Sequence, residues 1–295
     1  MPVCGFTVNP VSNLLVTWKM YEGFTFRRNL TSISRDPNEF KLAPYTLDAG
    51  VSYSVILELV VSSPLYPSQR LETSVKVIPG ISGVVANIFG GKNRTISARD
   101  ELVMDGSGSY DLDYPLDGAL TYEWSCMEIS PSYGKQCSRF IKLETVASNT
   151  VPSKAFLYIE TEVTFKFGLT VQNNYAVADS TEVFVTVVNA DVPTVGMITN
   201  TDKVNGQDYV TVECNVASLS INRSLSFRWK SEEWDADELS SISPSPISKT
   251  IYLRVYDFPV VFSILPNSLT VGRSYTFKLE ASYDSTFGSE YIGVG

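Results

Sequence analysis

Apolar and polar residues alternate with a two-residue period along several stretches of this 295-residue chain, and that period marks strands with one buried face. Over 275–283, Tyr275, Phe277, Leu279, Ala281 and Tyr283 fall on one side, with Thr276, Lys278, Glu280 and Ser282 on the other. Over 163–171, Val163, Phe165, Phe167, Leu169 and Val171 do the same, and over 120–126 so do Leu120, Tyr122, Trp124 and Cys126. A helix would scatter these residues around its circumference.

The alternating stretches recur. LLVTWKMYE (14–22), LTYEWSCME (120–128) and LSFRWKSEE (225–233) share Leu-x3-Trp-x3-Glu, with Trp18, Trp124 and Trp229 spaced 106 and 105 residues apart. Each is followed by a second matching stretch, at 49–62, 159–173 and 271–284. Short alternating segments between turn-rich stretches, at about 100 residues per unit, predict an all-β chain of tandem Ig-like antiparallel β-sandwiches. Trp18, Trp124 and Trp229 are the expected core positions. The predicted modules are 1–79 (partial, without its opening strand), 80–191 (complete) and 192–295 (without its last strand), as in a window cut from a longer array.

Composition narrows the chemistry. The chain has no histidine, which removes imidazole acid/base catalysis, His-ligated zinc and the Ser-His and Cys-His nucleophiles. A net charge of −9 and a pI near 4.7 argue against nucleic acid. The longest apolar runs, near 53–61 and 258–266, are about ten residues and too short to span a bilayer. Paired-carboxylate glycoside hydrolysis survives the lack of histidine, but the acidic residues follow strands and turns without an evident cleft.

Three Asn-X-Ser/Thr acceptors, at Asn29, Asn93 and Asn222, are candidate glycosylation sites, at a number chance alone supplies in this composition. Among four cysteines, Cys126 and Cys137 are close enough to staple a short loop in an oxidising compartment, or to be two buried thiols. Cys4 and Cys214 lie 14 and 15 residues before their tryptophans, at equivalent positions two modules apart, where buried thiols or outside partners are expected. Asp105, Asp111 and Asp113 follow one another across the turn D-G-S-G-S, whose glycines read as φ-permissive; the three carboxylates either cap their own turns or gather around a structural calcium ion. The acidic, Ser- and Pro-rich stretch 231–250 reads as a solvated loop, with Trp234 either offered to a partner or folded back.

The stretch L-V-M-D-G-S-G-S-Y-D-L-D, then L-T-Y-E-W-S-C with ten residues between Cys126 and Cys137, resembles the polycystic kidney disease (PKD) domain. More narrowly, it resembles the receptor-for-egg-jelly (REJ) module of polycystin-1-like proteins. The likeness is specific over about 100–190 and weaker in the partial units. It implies tandem Ig-like sandwiches on a large extracellular glycoprotein of the cell or ciliary surface. In that setting the Trp124 position, a Cys126–Cys137 bridge and the Asp105 turn are structural, and no catalytic residues come with it. The expected function is a non-enzymatic stalk, adhesin, receptor ectodomain or surface fibre. Its partners would be other copies, neighbouring modules, cell-surface proteins or glycans. The alternative is a carbohydrate-binding accessory region of a secreted polysaccharide-degrading enzyme, marked by a flat row of exposed aromatics.

Overall fold

The computed structural model describes residues 13–63, 66–115, 119–198, 203–218, 221–283 and 293–294. The chain divides into two compact units, residues 1–83 with 112–116, and residues 84–111 with 117–295.

The first unit is one antiparallel sheet, in the order β2 (Thr25–Phe26), β1 (Asn13–Glu22), β3 (Tyr53–Ser63), β4 (Tyr66–Val77). Alternation sorts its faces: Trp18 lies opposite Leu57, and Met20 opposite Val55. One end of this face is covered by the 27–52 connection, whose Leu30, Phe40, Leu42 and Leu47 pack on Met20, Tyr53 and Val55. The Trp18 indole N–H donates to the Pro37 carbonyl (2.9 Å), with the ring 5.5 Å from Phe40. At the other end Leu14 and Leu71 stay exposed. Among the described residues this unit is therefore half a sandwich, a sheet with a partial cover in place of a second sheet.

The second unit holds two cores. The first sandwich has a five-stranded sheet, β10 (Lys135–Gln136), β9 (Thr121–Ser130), β12 (Val163–Gln172), β13 (Ala178–Val188) and β6 (Asn93–Ser97), with β6 parallel to β13. Two short pairs complete it, β7 (Leu102–Asp105) with β11 (Ser148–Val151), and β5 (Val84–Val85) with β8 (Tyr110–Asp111). Val163, Phe165, Phe167, Leu169 and Val171 are all buried with Met104 and Phe156, as the alternation requires. Trp124 lies opposite Leu169.

In the second sandwich, β14 (Thr194–Met197), β15 (Val210–Ala217) and β18 (Asp257–Ile264) face β17 (Ser248–Tyr252), β16 (Ser224–Ser231), β19 (Phe277–Tyr283) and β20 (Gly293–Val294). Trp229 lies opposite Leu279, so all three repeat tryptophans pair with a leucine of the downstream strand. At the edge of this sheet the two-residue β20 pairs Gly293 and Val294 with Ala281 and Glu280. The two sandwiches are tied where the Thr194 hydroxyl donates to Asp100 Oδ2 (2.8 Å).

On the outer face of the second sandwich Glu280 is 4 % exposed, with Arg228 Nη2 at 2.7 Å and Lys230 Nζ at 2.9 Å. Burial by itself would raise this carboxyl, but the hydrogen bonds from Arg228 and Lys230 outweigh it and hold it below the ordinary glutamate range. Its stabilisation is therefore complete above pH ~4.5 and lost as pH falls through the depressed folded value. Glu280→Gln should cost about 2 kcal/mol at neutral pH, less than for a fully buried pair because both cations reach water. It should also flatten the acid limb of a stability-versus-pH curve measured by urea unfolding.

Candidate functional site

The D-G-S-G-S turn is built into the first sandwich. A Cβ on Gly106 would lie 2.6 Å from Leu169 Cδ2 and 3.1 Å from Trp124 Cζ2, and one on Gly108 would lie 2.7 Å from the Phe89 ring. Neither glycine has a positive φ. The expectation of φ-permissive glycines is corrected: close approach, of Gly106 to Leu169 and Trp124 and of Gly108 to Phe89, is what excludes a side chain. Asp105 Oδ1 accepts from the Ser107 N–H (2.9 Å). The Trp124 indole N–H donates to the Val146 carbonyl (2.8 Å).

The three carboxylates are engaged separately. Asp111, 2 % exposed, accepts from Asn173 Nδ2 (2.8 Å), and Asn173 Oδ1 in turn takes the N–H groups of Tyr175 and Val177 (both 3.0 Å), closing that hairpin. Asp113 accepts from the N–H groups of Ser82 (2.9 Å) and Gly83 (3.2 Å). Desolvation alone would raise its carboxyl, but these bonds hold it below the ordinary aspartate range. Among the described residues no group of three or more His, Cys, Asp or Glu side chains is placed to hold a metal ion. The three lie close along the chain, but each takes its own donor: a backbone N–H for Asp105 and for Asp113, and the Asn173 side-chain amide for Asp111.

Cys126, on β9, is joined to Cys137 at the start of a 3-10 turn (Cys137–Arg139), with the Cα atoms 5.4 Å apart and both residues in the core. Cys4 lies outside the described residues. Cys214 is a free thiol at 0 % exposure beside Val216 and Trp229. Burial, and then the negative charge of Glu213, pushes it up to about 12. Cys214 should therefore stay unlabelled by maleimide in the native protein and react only as urea unfolds the sandwich, read by peptide mass spectrometry.

The stretch read as a solvated loop contains α1 (Ala236–Ile242). Asp235 caps it, accepting from the N–H groups of Asp237 (3.0 Å) and Glu238 (2.8 Å), while Glu238 returns a bond to the Asp235 N–H (3.2 Å). This capping box, D-x-x-E, was the signal for a helix in the sequence. Trp234 folds back, its ring 4.6 Å from Tyr275 and 5.9 Å from Phe277.

Beside it, a cleft of about 740 Å³ opens in the second unit. One wall is the 86–93 segment, and the other is the ends of β16 and β19. Arg94, 7 % exposed, fixes the first wall by donating to the carbonyls of Phe89, Gly91 (3.1 Å) and Val103 (3.3 Å). Burial pushes its guanidinium down to about 10, so it stays charged at neutral pH. Asn29, Asn93 and Asn222 are all exposed.

The family model for the REJ domain matches residues 8–288. The chain belongs to the REJ domain family. It is 26% identical over 278 residues to polycystin-1-like protein 1 of Oryzias latipes, an alignment covering 89% of this chain and 9% of that protein. Among solved structures it is similar to PcdhgB3 EC1-4 at 9% identity, covering 92% of this chain and 63% of that one (TM-score 0.31). The FN1-FN3 domains of chicken CNTN1 are 10% identical, covering 95% and 86% (TM-score 0.28). In this REJ chain the D-G-S-G-S turn, Trp124 and the Cys126–Cys137 disulfide all sit in the first sandwich of the second unit.

Proposed function

We propose that this REJ chain is a non-enzymatic segment of a large extracellular ectodomain at the cell or ciliary surface. Its sandwiches act as spacers that present loops and strand edges to other copies, neighbouring modules, extracellular proteins or glycans. The observation that carries this reading is the buried Cys126–Cys137 disulfide inside a REJ-family sandwich, because such bonds persist in oxidising compartments. Exposure of the acceptors Asn29, Asn93 and Asn222 agrees with a glycoprotein. The conspicuous polar clusters are all used internally: Asp111 holds a hairpin, Glu280 a sheet and Asp235 a helix. A carbohydrate-binding accessory role has less support, since Trp124, Trp229 and Trp234 pack on their own sandwiches and Trp18 on the cover of its sheet.

Secretion of the chain from eukaryotic cells, followed by non-reducing peptide mapping, tests the reading. Cys126 and Cys137 should be recovered as one linked peptide pair. Recovering both in alkylated form without reduction would overturn it. Native electron microscopy of the same material separates a stalk, seen as single particles, from a fibre, seen as end-to-end or lateral polymers.

A further inference from the structure

The cleft in the second unit lies beside a glycosylation acceptor whose orientation the strand itself sets. In β6, Arg94 and Ile96 are buried on one face, so Asn93 and Thr95, the first and third residues of Asn-Arg-Thr, lie on the other. Asn93 is exposed and lines the cleft. The Phe89 and Gly91 carbonyls held by Arg94 tie the 89–91 turn to this strand. At Gly90, with φ 102°, a Cβ would come within 2.6 Å of Arg94 Cζ, so the turn approaches the guanidinium as only glycine permits.

The opposite wall is equally fixed. The Glu233 carboxylate accepts from the Thr276 N–H (3.0 Å), and Trp234 stacks on Tyr275 at an interplanar angle of 11°. With both walls held, an occupant would bind without ordering them first. The volume falls in the range of small-ligand sites. Phe89, Tyr275 and Phe277 line it together with Lys230 and Glu232. That mixture suits a sugar, which offers an apolar C–H face to an aromatic ring and hydroxyl groups to charged side chains.

We propose that the cleft seats an N-linked glycan carried on Asn93, which bridges the two sandwiches of the second unit. The proposal rests on the extracellular reading above. Attachment forms a bond from the glycan C1 to Asn93 Nδ2. The bond from C1 to the pyrophosphate of a lipid-linked oligosaccharide donor breaks, and one amide proton is lost.

The chain secreted from glycosylating cells provides the test. Peptide mass spectrometry gives occupancy at Asn29, Asn93 and Asn222. Hydrogen exchange is then compared before and after enzymatic removal of N-glycans from the folded protein, and in Thr95→Ala. Occupied Asn93 is expected, with amides of 86–93 and 275–278 exchanging roughly tenfold faster once the glycan is gone. Asn222→Gln should leave both segments unchanged. A glycan on Asn93 whose removal leaves 275–278 unaffected overturns the proposal, as does a bare Asn93 when Asn29 or Asn222 is occupied. Three bare acceptors together with reduced Cys126 and Cys137 would overturn the extracellular reading as well.

Discussion

Replacing Cys126 and Cys137 together by serine is expected to destabilise the first sandwich of the second unit by about 3 kcal/mol, the loss of loop-closure entropy for a ring of this size. The bond closes a segment with a sequence separation of 11, and both ends lie in the core around Phe165 and Phe167. For a domain of about 100 residues this is a fall in melting temperature of roughly 15 °C. The effect is local, because Cys214, Trp229 and Phe262 form a separate core. Melting followed by Trp229 fluorescence, in a variant lacking the other tryptophans, should therefore shift much less than the transition of the bridged sandwich. Adding a reducing agent to the unsubstituted protein should reproduce the loss only after partial unfolding, since Cys137 is 3 % exposed in the folded state. A double variant that melts with the parent would mean that the pair is not joined in solution.

The contrast between what sequence pattern could and could not say is sharpest around these strands. Alternation at Val163–Val171 assigned every inward residue because a two-residue period leaves a strand only two faces. The Leu-x3-Trp repeat likewise placed Trp18, Trp124 and Trp229 at one register position, opposite Leu57, Leu169 and Leu279. Pattern was silent where a partner distant in sequence decides the outcome. Gly106 resembles any turn glycine until Leu169 and Trp124 are brought against it. Asp111 resembles a calcium ligand until Asn173, 62 residues away, supplies its donor. Trp234 could not be assigned before Tyr275 and Phe277 were folded beneath it. The partial cover over Trp18 has the same cause: Leu30, Phe40, Leu42 and Leu47 follow no strand period.

The three repeat tryptophans share a register but not an environment, and substitutions should separate them in opposite orders. Trp229 is 1 % exposed with its ring 5.2 Å from that of Phe262, whereas Trp18 and Trp124 are only half-buried. Trp229→Ala should therefore cost about 4 kcal/mol through the cavity it leaves. Trp18→Ala should cost about half as much, because less area is withdrawn from water. Replacement by phenylalanine inverts the ranking. Trp124 donates its indole N–H to the Val146 carbonyl and Trp18 to the Pro37 carbonyl, so either Phe variant forfeits a hydrogen bond as well as packing, about 1–2 kcal/mol. The Trp229 indole nitrogen is buried with no hydrogen-bond partner among the described residues. Removing an unsatisfied donor recovers about 1–3 kcal/mol of desolvation, which offsets most of the apolar area lost with the smaller ring. Urea-unfolding midpoints of the six single variants should thus rank Trp229→Ala as the most damaging and Trp229→Phe as the least. If Trp229→Phe costs as much as Trp124→Phe, the indole N–H has a partner, and a bound water in the second sandwich becomes the required explanation.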